Sequence, residues 1–276
     1  MRWLKCSETR PCPFPDAHNR GFSGIEMPNK KLYLIPVGLA AEDSCAWAGA
    51  HLRNAVLPLR RFVVEHPKAA RQFLKMLGLP LQELEFEVLD EHSKAEDLDR
   101  LARWLESGDD VGLLSEAGCP AIADPGATLV NRAHRLGIQV VPLVGPSSIV
   151  LALMASGLNG QRFAFNGYLP QASAERDARI RELEERSRRL DQTEIFIEAP
   201  YRNEQLFKAV TANCKPETIL SLATDLTSAT EEIRTKNVGE WQQSPAPQLH
   251  KRPTVFLLLA DKARSPDRRI RPANVH

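Results

Sequence analysis

Along residues 31 to 144, short runs of apolar and β-branched residues alternate with segments whose apolar residues recur three and four apart. The runs are KLYLIPV (31–37), RRFVVEH (60–66), LEFEVLD (84–90), DVGLLSE (110–116) and QVVPLV (139–144), and each predicts a strand. Between them, PKAARQFLKMLG (67–78) sets Ala70, Phe73, Leu74 and Leu77 on one face and stops at Gly78. AEDLDRLARWLESG (95–108) likewise groups Leu98, Leu101, Ala102 and Leu105 and stops at Gly108. These are amphipathic helices ended by glycine. Strands apolar on both faces, separated by such helices, call for a largely parallel sheet with helices on both sides.

A second series follows. RFAFNGYL (162–169), TEIFIEA (193–199), ETILSLATDLT (217–227), EEIRTKNV (231–238) and PTVFLLLA (253–260) read as strands, with one long charged helix, ASAERDARIRELEERSRRL (172–190), after the first of them. The alternating charge of that helix predicts a solvated face. The last strands follow closely with no helix read between them, which predicts antiparallel pairing and a mixed sheet. The expected fold class is α/β with two domains. Residues 30–146 form the N-terminal α/β domain and 147–262 a C-terminal mixed α/β domain, with a ligand cleft between them. Residues 1–29, rich in Pro and polar residues and ending near a second methionine at Met27, read as a disordered extension, and 263–276 as a basic tail.

Composition narrows the function classes. With 276 residues, 43% of them apolar, the chain has material for two cores. Its 36 basic and 35 acidic residues leave a formal net charge of +1, so no global field points to nucleic acid or membrane, although a local basic groove is compatible with it. Five scattered cysteines, an odd number, suit a reducing cytoplasm better than a disulfide framework. No apolar run approaches the roughly 20 residues that span a bilayer, so no membrane role is expected. Cys6, Cys12 and His18 are three metal-capable residues at a spacing that matches no common zinc pattern, so no metal is expected.

Chemistry in open α/β sheets gathers in the loops that follow strands. Four such loops stand out: IPVGL (35–39), SEAGCPAIADPG (115–126), LVGPSSIV (143–150) and EAPYRN (198–203). Each mixes Gly or Pro with small residues, which lets backbone approach a ligand closely. Asp124 followed by Pro125 fits a helix N-cap and first-turn proline, and Pro146-Ser147-Ser148 opens a helix that stops at Gly157. Free backbone donors at that second start can receive an anion. Glu116 fits a pocket wall and a solvated rim equally. No G-x-G-x-x-G, P-loop, G-x-S-x-G or H-E-x-x-H motif occurs, which argues against nicotinamide oxidoreductases, P-loop hydrolases, serine hydrolases and zinc proteases.

The loops also carry a resemblance. SEAGCPAIADPG resembles the S-D-A-G-T-P-x-I-S-D-P-G motif of the tetrapyrrole methylase superfamily, in the branch of the 16S ribosomal RNA cytidine 2′-O-ribose methyltransferases. In the same order, LYLIPVGLAAED (32–43) resembles that branch's first-strand motif, LVGPSSIVLALMASGL its P-G-P-S-A helix start, RFAFNGYLP (162–170) its F-x-F-x-G-F-L-P, and EAPYR its E-S-P-H-R. The resemblance implies S-adenosylmethionine bound between two α/β domains, a homodimer and no metal. It implies cofactor contacts from Pro36, Ser115, Glu116 (where the family has Asp), Gly118, Cys119 (where it has Thr), Ile122, Asp124, Ser147 and Ser148, with Ala199 and Pro200 from the second domain.

On the acceptor side the chain departs from that branch. Glu65-His66-Pro67-Lys68 stands where the branch has E-D-T-R, Thr224-Asp225-Leu226-Thr227-Ser228 where it has R-E-L-T-K, and Lys251-Arg252-Pro253-Thr254 near its K-G-E. Glu65 is the first candidate to orient or deprotonate an acceptor, followed by Asp225 and Tyr201. Glu65 also fits a rim carboxylate paired with Lys68, Asp225 a turn, and Tyr201 a helix start. Methylation of ribosomal RNA leads the readings, beside methylation of a small or non-RNA acceptor and cofactor binding without turnover.

Overall fold

The computed structural model describes residues 30–40, 47–90 and 92–261, so the amino-terminal extension with Cys6, Cys12 and His18, and the basic tail, lie outside the described residues. The first five expected strands form β1 (Lys31–Ile35), β2 (Arg61–Val64), β3 (Glu85–Val88), β4 (Val111–Leu114) and β5 (Gln139–Pro142). They make one sheet in the order β3-β2-β4-β1-β5, parallel throughout. Helices α1 (Ala50–Val56), α2 (Pro67–Leu77), α3 (Ala95–Glu106) and α4 (Gly126–Arg135) cover it. Alternation along the strands sorts the side chains to the two faces. Ile35, Phe62, Val64 and Leu114 pack on Leu52 and Val56 of α1 and Phe73, Leu74 and Leu77 of α2. Leu32, Val63, Val111 and Leu113 pack on Leu101 and Leu105 of α3 and Leu129 and Ala133 of α4. The α2 helix ends at Gly78 in the left-handed conformation, φ 97°, as its sequence predicts.

The second series forms β6 (Phe163–Tyr168), β7 (Thr193–Ile197), β8 (Ile219–Thr224), β9 (Glu232–Asn237) and β10 (Thr254–Leu259), in the order β6-β7-β10-β8-β9. The β6-β7 pair is parallel and the others antiparallel, so this sheet is mixed. Its outer face carries Ile180 and Leu183 of the long helix α6 (Ser173–Leu190), Phe207 and Val210 of α7 (Asn203–Asn213), and Trp241 of α8 (Val238–Gln243). Ala152 and Leu153 of α5 (Ser148–Ser156) pack on its inner face, against Ile195, Ala223, Val255 and Leu257. The helix that begins in the last loop of the first sheet is therefore buried against the second. No helix among the described residues is long and apolar enough to cross a membrane.

Two expectations need correction. A helix does stand between β9 and β10: α8 has only six residues, too few to show a period, and is held by a capping box between Asn237 and Glu240 and by the Trp241 indole N–H donating to Leu220 O at 2.9 Å. Nor is α6 simply a solvated face, since Arg176, Ile180, Leu183, Glu184 and Ser187 are buried along one stripe. Beside that stripe, Glu194 of β7 is fully buried and accepts from Arg186 Nε at 2.8 Å, Gln192 Nε2 at 3.0 Å and Asn166 Nδ2 at 2.9 Å. Glu194 holds the Arg186 guanidinium above its ordinary range. Glu194→Ala removes the acceptor shared by Arg186, Gln192 and Asn166 and leaves the Arg186 guanidinium without its carboxylate, so it is expected to cost about 3 kcal/mol in urea denaturation, whereas a loss of under about 0.5 kcal/mol would show the cluster to be dispensable.

Candidate functional site

The loops after β1, β4 and β5 emerge side by side because β1 lies between the other two strands. Reciprocal hydrogen bonds, Val37 N to Gly118 O at 2.9 Å and Gly118 N to Val37 O at 3.0 Å, tie the first two loops together. The Cys119 thiol donates to Pro146 O at 3.3 Å and ties in the third. Between these loops and the ends of β7, β8 and β10 lies a cavity of about 700 Å³, walled by both sheets.

Small residues shape the first wall. Ser115 is buried, its hydroxyl facing Ala117 O and Gly118 O at 3.3 Å, and Gly118 takes φ 76°. Ala121 and Ala123 adopt left-handed backbone, φ 66° and 62°, which costs each of order 1 kcal/mol. Asp124 holds this conformation: its Oδ1 accepts from Ala121 N at 2.8 Å and from Gly126 N at 2.7 Å. Asp124 is therefore not the helix N-cap its sequence suggests. Pro125 takes that position, and the carboxylate reaches past it to the first helical N–H while folding the loop back on itself. Asp124 Oδ2 has no partner and the residue lines the cavity; burial pushes its carboxyl above the ordinary range. The Cys119 thiol is likewise pushed up by burial, which keeps it protonated.

Glu65 leaves the end of β2 half-buried at the same wall. Its Oε2 accepts from Glu116 N at 3.3 Å rather than pairing with Lys68. Burial raises its pKa, and the charges of Asp124 and Glu116 raise it further. Glu116 is exposed at the rim, where its Oε2 lies 4.0 Å from His66 Nε2. Ile122, Ser147 and Ser148 complete this side. Ser147 is the N-cap of α5, with its hydroxyl accepting from Val150 N at 3.5 Å.

The second wall holds its carboxylates differently. Glu198, buried at the end of β7, pairs with Arg202 at 2.8 Å and accepts from Ala199 N at 2.7 Å. Asp225, at φ 50°, accepts on Oδ2 from Arg252 Nε at 2.6 Å and from the Thr230 hydroxyl at 2.9 Å. Pro200 lines the cavity, but its neighbour Ala199 does not. Tyr201 is 64% exposed in the 3-10 turn Pro200–Arg202, stacks on the Arg202 guanidinium and lies outside the cavity lining. Pro36 is also outside it: the residue is buried under Gly145, where any Cβ would come within 2.3 Å of Pro36 Cγ. Glu198, Thr230, Lys251 and Arg252 line the cavity and were not singled out as site residues. They lie near motifs, but it is the pairing of β10 with both β7 and β8 that brings their loops together. Among the described residues no group of three or more His, Cys, Asp or Glu is disposed to hold a metal.

Residues 31–242 match the family model for tetrapyrrole (corrin/porphyrin) methylases. The chain is 38% identical over 202 residues to the ribosomal RNA small subunit methyltransferase I of Pseudomonas aeruginosa, which covers 73% of this chain and 61% of that protein. It is 32% identical to the protein of the same description from Xylella fastidiosa, over 74% of this chain and 72% of the relative. The match thus spans about three fifths of the Pseudomonas protein's length. Among solved structures, diphthine synthase superposes with a TM-score of 0.61 at 15% identity, over 84% of this chain and 90% of that one. The methyltransferase CobJ does so with 0.57 at 16% identity, over 88% and 97%. These structural likenesses speak to fold alone.

Asp124 gives the wall a direct test. Asp124→Ala removes the acceptor of two loop N–H groups and is expected to cost about 1–3 kcal/mol in thermal unfolding, while Asp124→Asn keeps an acceptor and costs less. The raised native pKa means that the folded protein holds the proton more tightly, so the carboxyl's contribution is full at low pH and is lost as pH rises through the native pKa. The stability of Asp124→Asn relative to the wild type should therefore improve as pH climbs above about 4. A pH-independent difference would show that the carboxylate is not penalised in the fold.

Proposed function

The chain belongs to the tetrapyrrole (corrin/porphyrin) methylase family, and from that footing we propose that it transfers a methyl group from S-adenosylmethionine to a ribose hydroxyl of small-subunit ribosomal RNA. One observation carries the reading: a cavity of about 700 Å³ between the two sheets has an unpartnered Asp124 carboxylate oxygen and the half-buried Glu65 on the same wall. The descriptions of the Pseudomonas and Xylella relatives support the choice of ribosomal RNA.

The residues present fit that cofactor. A cavity of this size lies within the roughly 300–1,000 Å³ typical of small-ligand sites, and Ser115, Ala117, Gly118 and Ala123 keep its wall low. Asp124 and Glu116 put negative charge where a sulfonium and an ammonium are welcome. The first-turn N–H groups of α5, beside Ser147 and Ser148, suit a carboxylate. When bound, the cofactor supplies a methyl carbon already activated by sulfonium charge. The protein then has to hold the acceptor in line and take its proton. Glu65 is the base in this reading, because it lines the cavity and burial makes its carboxylate more basic. Asp225 is a positioning residue, committed to Arg252 and Thr230.

The α5 face bearing Val150 and Met154, with Val144 before it, is exposed and apolar, which supports a second copy of the chain as its cover. The free thiols of Cys119 and Cys214 suit the reducing cytoplasm.

Calorimetric titration with S-adenosylmethionine, and with S-adenosylhomocysteine, should show about one site per chain. No binding at millimolar ligand, where even about 4 kcal/mol registers, would overturn the reading. Glu65→Gln should bind cofactor as the wild type does while lowering methyl incorporation into small-subunit ribosomal RNA by about 10²–10⁴. A base must be deprotonated to act, so wild-type turnover should rise with pH through the raised Glu65 pKa, and this limb should vanish in Glu65→Gln. Turnover on small metabolites with none on RNA would move the acceptor to another class.

A further inference from the structure

The cavity is divided by charge. Its first-sheet wall carries Glu65, Glu116 and Asp124 with no lysine or arginine among the lining residues. On the second-sheet wall, Glu198 is neutralised by Arg202 and Asp225 by Arg252. That leaves Lys251, exposed and lining the cavity, as the one cation among the described lining residues without a carboxylate partner.

The backbone around it is unusually determined. Lys251 sits at φ 58°, in the left-handed region that lysine rarely occupies. Its N–H donates to Pro200 O at 3.0 Å, and the following N–H to Leu249 O at 3.2 Å. Arg252 is held at every nitrogen: Nε by Asp225, Nη1 by Gln248 O at 3.1 Å and Nη2 by Thr230 O at 2.8 Å. Asn203 Nδ2 donates to Arg252 O. The turn is thus fixed on both sides of residue 251 by contacts that do not use its side chain. Glycine or asparagine would meet the backbone demand more easily, so the turn itself does not ask for an ammonium group.

Resting on the reading above, we infer that Lys251 binds a backbone phosphate of the RNA acceptor, which lays the strand along the second-sheet wall and turns its ribose hydroxyl toward Glu65. A phosphodiester cannot lie against the first wall, where three carboxylates would repel it, whereas the opposite wall presents neutral ion pairs and one free positive charge. The compact ammonium is a point charge without the planar fork of arginine, which suits a phosphate approached from varying angles.

The test is the salt dependence of RNA binding, measured with small-subunit ribosomal RNA in the presence of S-adenosylhomocysteine so that turnover is not required. Lys251→Asn tolerates the left-handed backbone and removes the charge; Lys251→Arg keeps the charge. Lys251→Asn should bind S-adenosylhomocysteine as the wild type does, bind RNA more weakly whatever its sequence, and flatten the slope of log K against log salt by about 0.7–0.9, the value of one phosphate contact. Lys251→Arg should restore most of the slope. An unchanged slope in Lys251→Asn would overturn the assignment while leaving the methyltransferase reading intact. If the wild type binds cofactor and RNA yet transfers no methyl group, the proposed reaction fails and the phosphate contact still stands or falls on its slope.

Discussion

The paired hydrogen bonds between Val37 and Gly118 set the shape of the cleft. A parallel sheet delivers its loops to one edge but does not by itself hold them against each other. This small antiparallel bridge continues the β1-β4 pairing beyond the strands and turns the second loop across the first. Cys119 then fastens the same loop to Pro146, one residue before the cap of α5. A path of hydrogen bonds thus runs from the central strand of the first sheet to the helix that packs on the second. Side-chain size enters the same arrangement, because Pro36 fits under residue 145 only when that residue has no Cβ.

Environment gives the acidic groups of the cleft different tasks. Glu198 and Asp225 are each paired with an arginine. Glu65 and Asp124 meet backbone N–H groups instead, and burial leaves them less acidic than free carboxyls. Unfavourable backbone is concentrated nearby: of the six non-glycine residues at positive φ among the described residues, Ala123, Asp225 and Lys251 line the cavity and Ala121 and Thr227 adjoin it. Such conformations persist only where surrounding contacts over-determine them, as the Asp124 and Arg252 bonds do here.

Much of the architecture was legible because it follows from short-range pattern. Apolar runs of four to six residues and the glycine stop at Gly78 mark the strands and α2 directly. The α1 and α8 helices escaped because seven and six residues hold too little of a 3.6-residue period to read. The loop 115–126 could be recognised as a wall from its small residues, although the exact duty of Asp124 depends on a fold-back at Ala121 and Ala123 that no propensity suggests. Tyr201, next to the cavity-lining Pro200 in sequence, is exposed in the 3-10 turn, an orientation that sequence order does not reveal. Arg252 and Thr230 could not be joined to Asp225 from sequence at all, since their meeting depends on the register that sets Thr224 opposite Thr254.

The position of α5 also bears on how the molecule holds together. It starts at a loop of the first sheet, yet Ala152 and Leu153 are buried against strands of the second, and Thr235 of β9 donates to Ser156 O at its far end. Pulling the two sheets apart would therefore strip apolar surface from one helix while tearing its first turn from the other half's loops. Neither half owns the element outright, so the shared helix works as a spline, and loosening on one side is resisted by packing on the other.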